Sequence, residues 1–343
     1  MNLQQTLSLG VFSSYFLAII FLLSLISRSI YVSKTFSSAN NGKALIFFGL
    51  TVASFTHTWF YMFRYMAWSF ANYEHSLQAT QTQDTLHRVA SWLHGTSLFE
   101  EAWSTVCFHP LNWWWSEQLC TYTTGVWTVF IAIEGKRHNI EHLWAYMLLG
   151  QIVAISVASN LFYLALILSQ PPRTEAAYNL RANPRLWMSV ILSLATVAFS
   201  HPHLGGPTST SSEQSPIFFS MDMRNLFRLV QIVVAGIHIR TVLAAVNFLK
   251  ESSPSASSHI VSVAWDVLYS HPAQSSIGWD VVWTTISFII WIVVKPLHPM
   301  EGSRSTSVLY LLLATPVSSI GVTAPYVLRP IAEPSNPVGD KLE

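Results

Sequence analysis

The residues best placed to do chemistry in this chain are ionisable groups lying inside apolar stretches. Such groups are costly in a membrane and usually face a bundle interior. Glu117 and Asp280 are the leading pair. Burial among apolar side chains disfavours the charged form of a carboxyl, and a second carboxylate nearby keeps a proton on one of the two. The pair therefore reads as a buried acid with a partner or final base. Asp280 is the first choice as proton donor, Glu117 the second, and Glu134 a reserve.

Polar residues recur at helical spacing around this pair. One stripe runs through Ser54, His57, Tyr61, Arg64 and Trp68, and a second through Glu117, Thr121, Thr124 and Thr128. A third holds Ser156, Asn160 and Tyr163, and a fourth Asp280, Thr284, Ser287 and Trp291. A rise of about 1.5 Å per residue puts Arg64, Glu117, Asn160 and Asp280 in the same half of a membrane, where they can converge. Arg64, His57, Tyr61, Asn160, Arg240, Trp115 and Trp283 are the expected binding residues. The opposing reading makes these groups glue between helices, with Arg64 on Glu117 or Arg240 on Asp280. Arg240 and Asn247 share one face of their segment, while Arg224, Arg228, Gln231 and His238 form another stripe. Glu134 lies in a charged turn with Lys136, Arg137, His138, Glu141 and His142, which reads as solvated or facing headgroups.

Absent motifs narrow the chemistry. No DDxxD or DxDD pattern occurs, so diphosphate ionisation by magnesium is disfavoured. Nor is there a GxSxG elbow, an HExxH zinc site or a glycine-rich phosphate loop. His201 and His203 share a loop, but that signal is too weak to assign a metal, and no cofactor is implied. Cys107 and Cys120 lack the spacing of a zinc site and read as buried thiols.

The elements that position these residues are apolar helices. With 51% hydrophobic and 10% charged residues, the 343-residue chain carries well under half the charge of a soluble domain, about 25%. A net charge of +1 excludes a basic footprint for nucleic acid. A bilayer core of about 30 Å needs about 20 apolar helical residues. Eight stretches approach this: Leu9–Ser33, Ala44–Ala71, Leu111–Ile133, Leu143–Leu168, Leu186–Ser200, Met221–Phe248, Ile277–Pro296 and Ser305–Leu328. The fifth is short and the sixth rather polar. The first has no basic residue before it and no small-residue cleavage site, so it reads as a retained helix. The fold expected is an all-α, polytopic transmembrane bundle of about eight spans forming one domain over residues 1–343, with a loose tail at 329–343. Basic residues in the short odd-numbered loops favour a cytosolic position for those loops.

Two long connections, Asn72–Pro110 and Glu251–Ser276, carry amphipathic repeats. Leu86, Val89, Ala90 and Leu93 form one, and Ile260, Val263, Ala264, Val267 and Leu268 the other. Each can lie at the interface as an anchor, or the two together can roof a cavity. Trp115, Trp127, Trp279, Trp283 and Trp291 are either interfacial packing or faces that stabilise a cation.

The stretch WWWSEQLCTYTTGVWTVFIAIEGKRHNIEHLWAYMLLGQIVAISVASNLFYLALIL from Trp113, preceded by FEEAW from Phe99 and followed by IGWDVVW from Ile277, resembles fungal integral-membrane terpene cyclases. The resemblance is to those of ascofuranone, ascochlorin and macrophorin biosynthesis, enzymes of meroterpenoid secondary metabolism. It implies protonation of a terminal olefin or epoxide on a farnesylated aromatic intermediate, with cyclisation through a carbocation. It also implies a lipophilic prenylated aromatic substrate and a multi-pass location in the endoplasmic reticulum. Position matching supports the Glu117 and Asp280 segments without assigning roles, and Arg64 suits the phenol or aldehyde oxygens of the aryl head. Two rivals stand beside this reading. One is a sterol-type double-bond isomerase, which needs the same acid and aromatic lining. The other is a small-molecule transporter, against which counts the lack of inverted repeats and paired broken helices.

Overall fold

The computed structural model describes residues 1–33, 38–76, 84–169, 183–200, 222–252, 260–295 and 303–329. The expected tail beyond 329 and the His201/His203 loop lie outside them. Among the described residues the chain is all helical, with no strand. The helices in order are α1 (Leu3–Ser33), α2 (Ser38–Ser76), α3 (Thr85–Gly95), α4 (Leu98–Cys107), α5 (Pro110–Thr121), α6 (Thr128–Arg137) and α7 (Leu143–Ile152). There follow α8 (Ile155–Leu168), α9 (Pro184–Phe199), α10 (Met223–Ser252), α11 (Ile260–Leu268), α12 (Pro272–Val294), α13 (Arg304–Ser318) and α14 (Ile320–Leu328).

Four helices, α1, α2, α10 and α12, are long and apolar enough to cross a membrane, which is compatible with a multi-pass membrane protein. Their outward faces expose large apolar side chains such as Leu17, Phe21, Phe48, Phe63, Ile232 and Ile286. The other four expected stretches are helical but none is a plain span. The third becomes α5 and α6 joined by a six-residue π turn, Tyr122–Trp127. The fifth is the 16-residue α9. The fourth and eighth are each broken, into α7 with α8 and α13 with α14. The expectation that broken helices are lacking is therefore corrected.

The π turn has a local cause. Thr121, Thr123 and Thr124 turn their hydroxyls back onto the carbonyls of Glu117, Leu119 and Cys120, competing with the helical ladder. Thr128 then reaches five residues back to the Thr123 carbonyl at 2.9 Å. Gly125 lets α10 approach: a Cβ there would lie 2.8 Å from Val230.

Each break leaves backbone groups that an apolar interior cannot satisfy with water. At the first, Ala154 is extended and ends the ladder. Tyr15 of α1 donates to the freed Ile152 carbonyl at 2.6 Å. At the second, Pro316 lies just before a turn at Ser319, whose φ of 68° is left-handed. That conformation costs a non-glycine residue about 1–3 kcal/mol, so the surroundings must hold it.

The core is built around α8, all 14 of whose residues are buried. It lies among α1, α2, α7 and α12. Tyr163 stacks on Trp291 of α12 at 4.9 Å, while Trp127, Phe130 and Phe162 pack edge to face around it. The amphipathic α3 packs Trp92 against Phe12 and Phe70. The second amphipathic segment, α11, is tied to α5 by a hydrogen bond from Trp115 Nε1 to the Ala264 carbonyl at 2.9 Å.

Candidate active site

The two leading carboxylates do not meet; each serves one helix break. Asp280 of α12 is buried at the N-terminus of α8, where its Oδ2 accepts the Ile155 N–H and its Oδ1 the Ser156 N–H, both at 2.9 Å. It thus caps α8 from another helix, with charge of the sign a helix N-terminus favours. Each oxygen accepts one backbone N–H, an arrangement that favours the ionised over the neutral form.

Glu117 is fully buried on α5 and turns towards α10. Its Oε2 lies 2.9 Å from His238 Nδ1, and its Oε1 accepts from Thr121 Oγ1 at 3.2 Å. His238 Nε2 lies 3.0 Å from the carbonyl of Val317, near the α13 break. Because a carbonyl only accepts, Nε2 must carry hydrogen. One proton is then left between Nδ1 and Glu117, held as a carboxylic acid facing a neutral ring or as an ion pair. Gly321 brings α14 close to this point: a Cβ would stand 3.0 Å from Thr121 Oγ1 and from Val234.

His238 is the residue that sequence reasoning missed as a site member. It shares a polar stripe with Arg224, Arg228 and Gln231 on a helix that is polar on two faces, and nothing in the spacing names Glu117 as its partner. The Val317 carbonyl was equally hidden, since it becomes available only through the break that Pro316 and Ser319 create.

The remaining expected residues separate. Asn160 is buried, and its Nδ2 donates to Ser54 Oγ at 3.4 Å, uniting the stripes of α2 and α8. Thr284 and Ser287 continue the Asp280 stripe along α12, and their hydroxyls, like Asn160 Oδ1, have no hydrogen-bond partner among the described residues. His57 accepts from Trp283 Nε1 at 3.1 Å, with the Trp279 ring 4.3 Å away and Tyr61 at 5.6 Å. Arg64 is exposed, with its guanidinium 5.8 Å from the Phe60 ring, and the alternative pairing with Glu117 is not formed. Arg240 is half-buried and forms no ion pair with Asp280. Spacing along one helix places a residue on a face of that helix and says nothing of which neighbouring helix that face meets, and α2 and α10 do not turn these arginines towards the carboxylates of α5 and α12.

Glu134 is likewise not solvated. It is buried and pairs with Arg137 at 2.5 Å, with His138 Nε2 at 3.6 Å. Trp115 and Trp283 both spend their indole N–H groups on protein acceptors, and Trp127 is enclosed in the core. Cys107 and Cys120 are free thiols. Among the described residues no three His, Cys, Asp or Glu side chains gather as a metal site.

The architecture that holds these groups is an all-helical bundle with four helices of membrane-crossing length and composition. Residues 102–167 match a family described as a protein of unknown function, DUF2834. That stretch carries Glu117, the π turn, Glu134 and all but the last residue of the broken helix α7–α8, but neither Asp280 nor His238. No curated protein matches the chain, and no solved structure does.

Proposed function

We propose that the protein is a membrane-bound terpene cyclase of meroterpenoid metabolism, acting on a prenylated aromatic intermediate by protonating a terminal olefin or epoxide. The observation that carries this reading is the buried contact of Glu117 Oε2 with His238 Nδ1, 2.9 Å apart inside an apolar bundle. Glu117 takes the role of proton donor in preference to Asp280, whose two oxygens are both committed to α8. His238 holds the Glu117 carboxyl in place.

The chemistry balances without a cofactor. The olefin π pair takes the proton from Glu117 to form a C–H bond, leaving a tertiary cation that the next double bond captures. In the epoxide case the proton goes to oxygen as the C–O bond breaks, and the ring forms in the same way. Loss of a proton from the final cation to Glu117 restores the acid. A dry interior keeps water from quenching the cation. In this reading α5–α6, α7–α8, α9 and α13–α14 add four crossings to those of α1, α2, α10 and α12, and the bundle resides in the endoplasmic reticulum.

The test is expression in a host lacking such enzymes, with a farnesylated phenol and its terminal epoxide supplied. A cyclised product from one of them, lost in Glu117→Gln at normal expression, supports the reading. A folded protein that cyclises neither overturns it, and a moved double bond in a sterol would point to an isomerase instead.

The two broken helices favour a second reading, a small-molecule transporter, because discontinuous helices often flank transport sites. Flux of the same phenol across proteoliposomes, unaffected by Glu117→Gln, would favour it.

A further inference from the structure

A cleft of about 740 Å³ lies where α4, α5, α10, α11 and the start of α12 come together. Its volume falls in the range of small-molecule sites, about 300–1,000 Å³. Phe108, Leu111, Phe248 and Val267 form its apolar walls, and His109, Asn112 and His271 supply polar atoms. The described lining residues include no carboxylate, ammonium or guanidinium group, so the cleft is built for a neutral molecule.

Its walls are braced in advance of any ligand. Asn112 Nδ2 donates to the Thr105 carbonyl at 3.2 Å and to Gln274 Oε1 at 3.0 Å, tying α5 to α4 and α12. Trp115 ties α5 to α11, and Ser275 Oγ donates to the Leu268 carbonyl at 2.8 Å, tying α11 to α12. Gly278 lets the last two approach, since a Cβ there would lie 2.9 Å from Leu268.

The polar side of the cleft offers a donor. His271 Nδ1 accepts the Ala273 N–H at 3.3 Å, so the neutral ring carries its hydrogen on Nε2. That nitrogen is buried and makes no hydrogen bond among the described residues. Gln274, fully buried one turn further on, also leaves its Nε2 without a partner. Native proteins seldom leave such donors unmatched.

We propose that this cleft binds a neutral amphiphile, with its apolar chain along Phe108, Leu111, Phe248 and Val267 and a carbonyl or phenolic oxygen accepting from His271 Nε2. Taking that amphiphile to be the prenylated phenol rests on the function proposed above. Glu117 lies six residues beyond Leu111 on α5, about 9 Å at the helical rise, so a chain held here leads towards the acid.

The experiment is photolabelling of the full-length protein in nanodiscs with a farnesylated phenol carrying a diazirine on its chain, with labelled peptides mapped. Saturable labelling on the segments of Phe108, Leu111 and Val267 is expected, reduced at least tenfold in Leu111→Trp and several-fold in His271→Asn, which retains an acceptor for Ala273. Farnesyl diphosphate should compete at least tenfold less well than the unlabelled neutral phenol. Labelling concentrated elsewhere, for example on the 360 Å³ cleft beside Leu7, Phe12 and Leu93, overturns the proposal, as does equal competition by the diphosphate. Labelling at the cleft without any cyclised product retains the site and removes the cyclase reading. Cyclisation that persists in Leu111→Trp with labelling elsewhere does the reverse.

Discussion

Asp280 and Ile155 are 125 residues apart in sequence, yet the Asp280 carboxylate accepts the Ile155 N–H at 2.9 Å and so completes the start of a helix to which it does not belong. Hydrogen bonds to a charged group contribute about 1.5–3 kcal/mol each, and an orphaned buried donor costs about 1–3 kcal/mol. Asp280→Asn, which retains one acceptor oxygen, should lower thermal stability in detergent, and Asp280→Ala should lower it further. If Asp280 were instead the proton donor, Asp280→Asn would lose turnover at unchanged stability, and thermal unfolding beside product analysis separates the two.

The Glu117–His238 pair predicts strong coupling. Removing one partner of a buried pair costs about 3–5 kcal/mol because the other is left uncompensated. Glu117→Gln and His238→Phe should each destabilise, while the double variant should lose much less than their sum. An additive double-mutant cycle would mean that the two side chains do not act on each other.

Thr284 and Ser287 make the opposite prediction. Their hydroxyls are buried without partners, so Thr284→Val and Ser287→Ala should leave stability unchanged or raise it by about 1 kcal/mol. A loss of several kcal/mol in either, read by unfolding in detergent, would show that the hydroxyl has a partner in the working protein.

Gly321→Ala tests the packing around the acid. The added methyl meets Thr121 Oγ1 and Val234 at 3.0 Å, and crowding of this kind costs about 1–3 kcal/mol. The shift should also move α14 away from α5 and loosen the hold on His238. Hydrogen exchange of residues 320–328 should rise, whereas Gly236→Ala, which meets nothing within 4 Å, should leave it unchanged.

Acidification should act at His271. Burial holds its imidazole below the ordinary histidine range, opposed by Glu101, and protonation of Nδ1 breaks the bond from Ala273 while placing positive charge at a helix N-terminus. The folded state therefore binds its proton less readily than the unfolded state, so this contribution is intact above about pH 6.5 and is lost as pH falls below it. Exchange of the first turn of α12 should rise below that pH in the wild type and stay flat in His271→Asn. A flat wild-type profile would refute the cap.

Some of this was legible from spacing alone. Ser54, Asn160, Thr284 and Ser287 were placed on inward faces, and those faces are buried, because helical phase is a local property. What spacing could not supply was the partner of each face. Arg64 stays exposed, whereas Glu117 meets His238 through the packing of α5 against α10. The breaks were hidden for a different reason. Ile152, Val153 and Ala154 form an unremarkable apolar run, and only Tyr15 and Asp280, from distant segments, make it tolerable to end a ladder there. At Ser319 the neighbouring Pro316 was a visible warning, since proline removes a ladder bond.

The burial of α8 also constrains how the chain is made. At 14 residues it measures about 21 Å, short of the bilayer core of about 30 Å, and it presents no side to lipid. During synthesis its first N–H groups emerge 125 residues ahead of the carboxylate that caps them. Until α12 arrives, this central helix has neither its cap nor one of its walls. A chain stopped before Asp280 would therefore leave α8 with its first N–H groups uncapped and one of its walls missing.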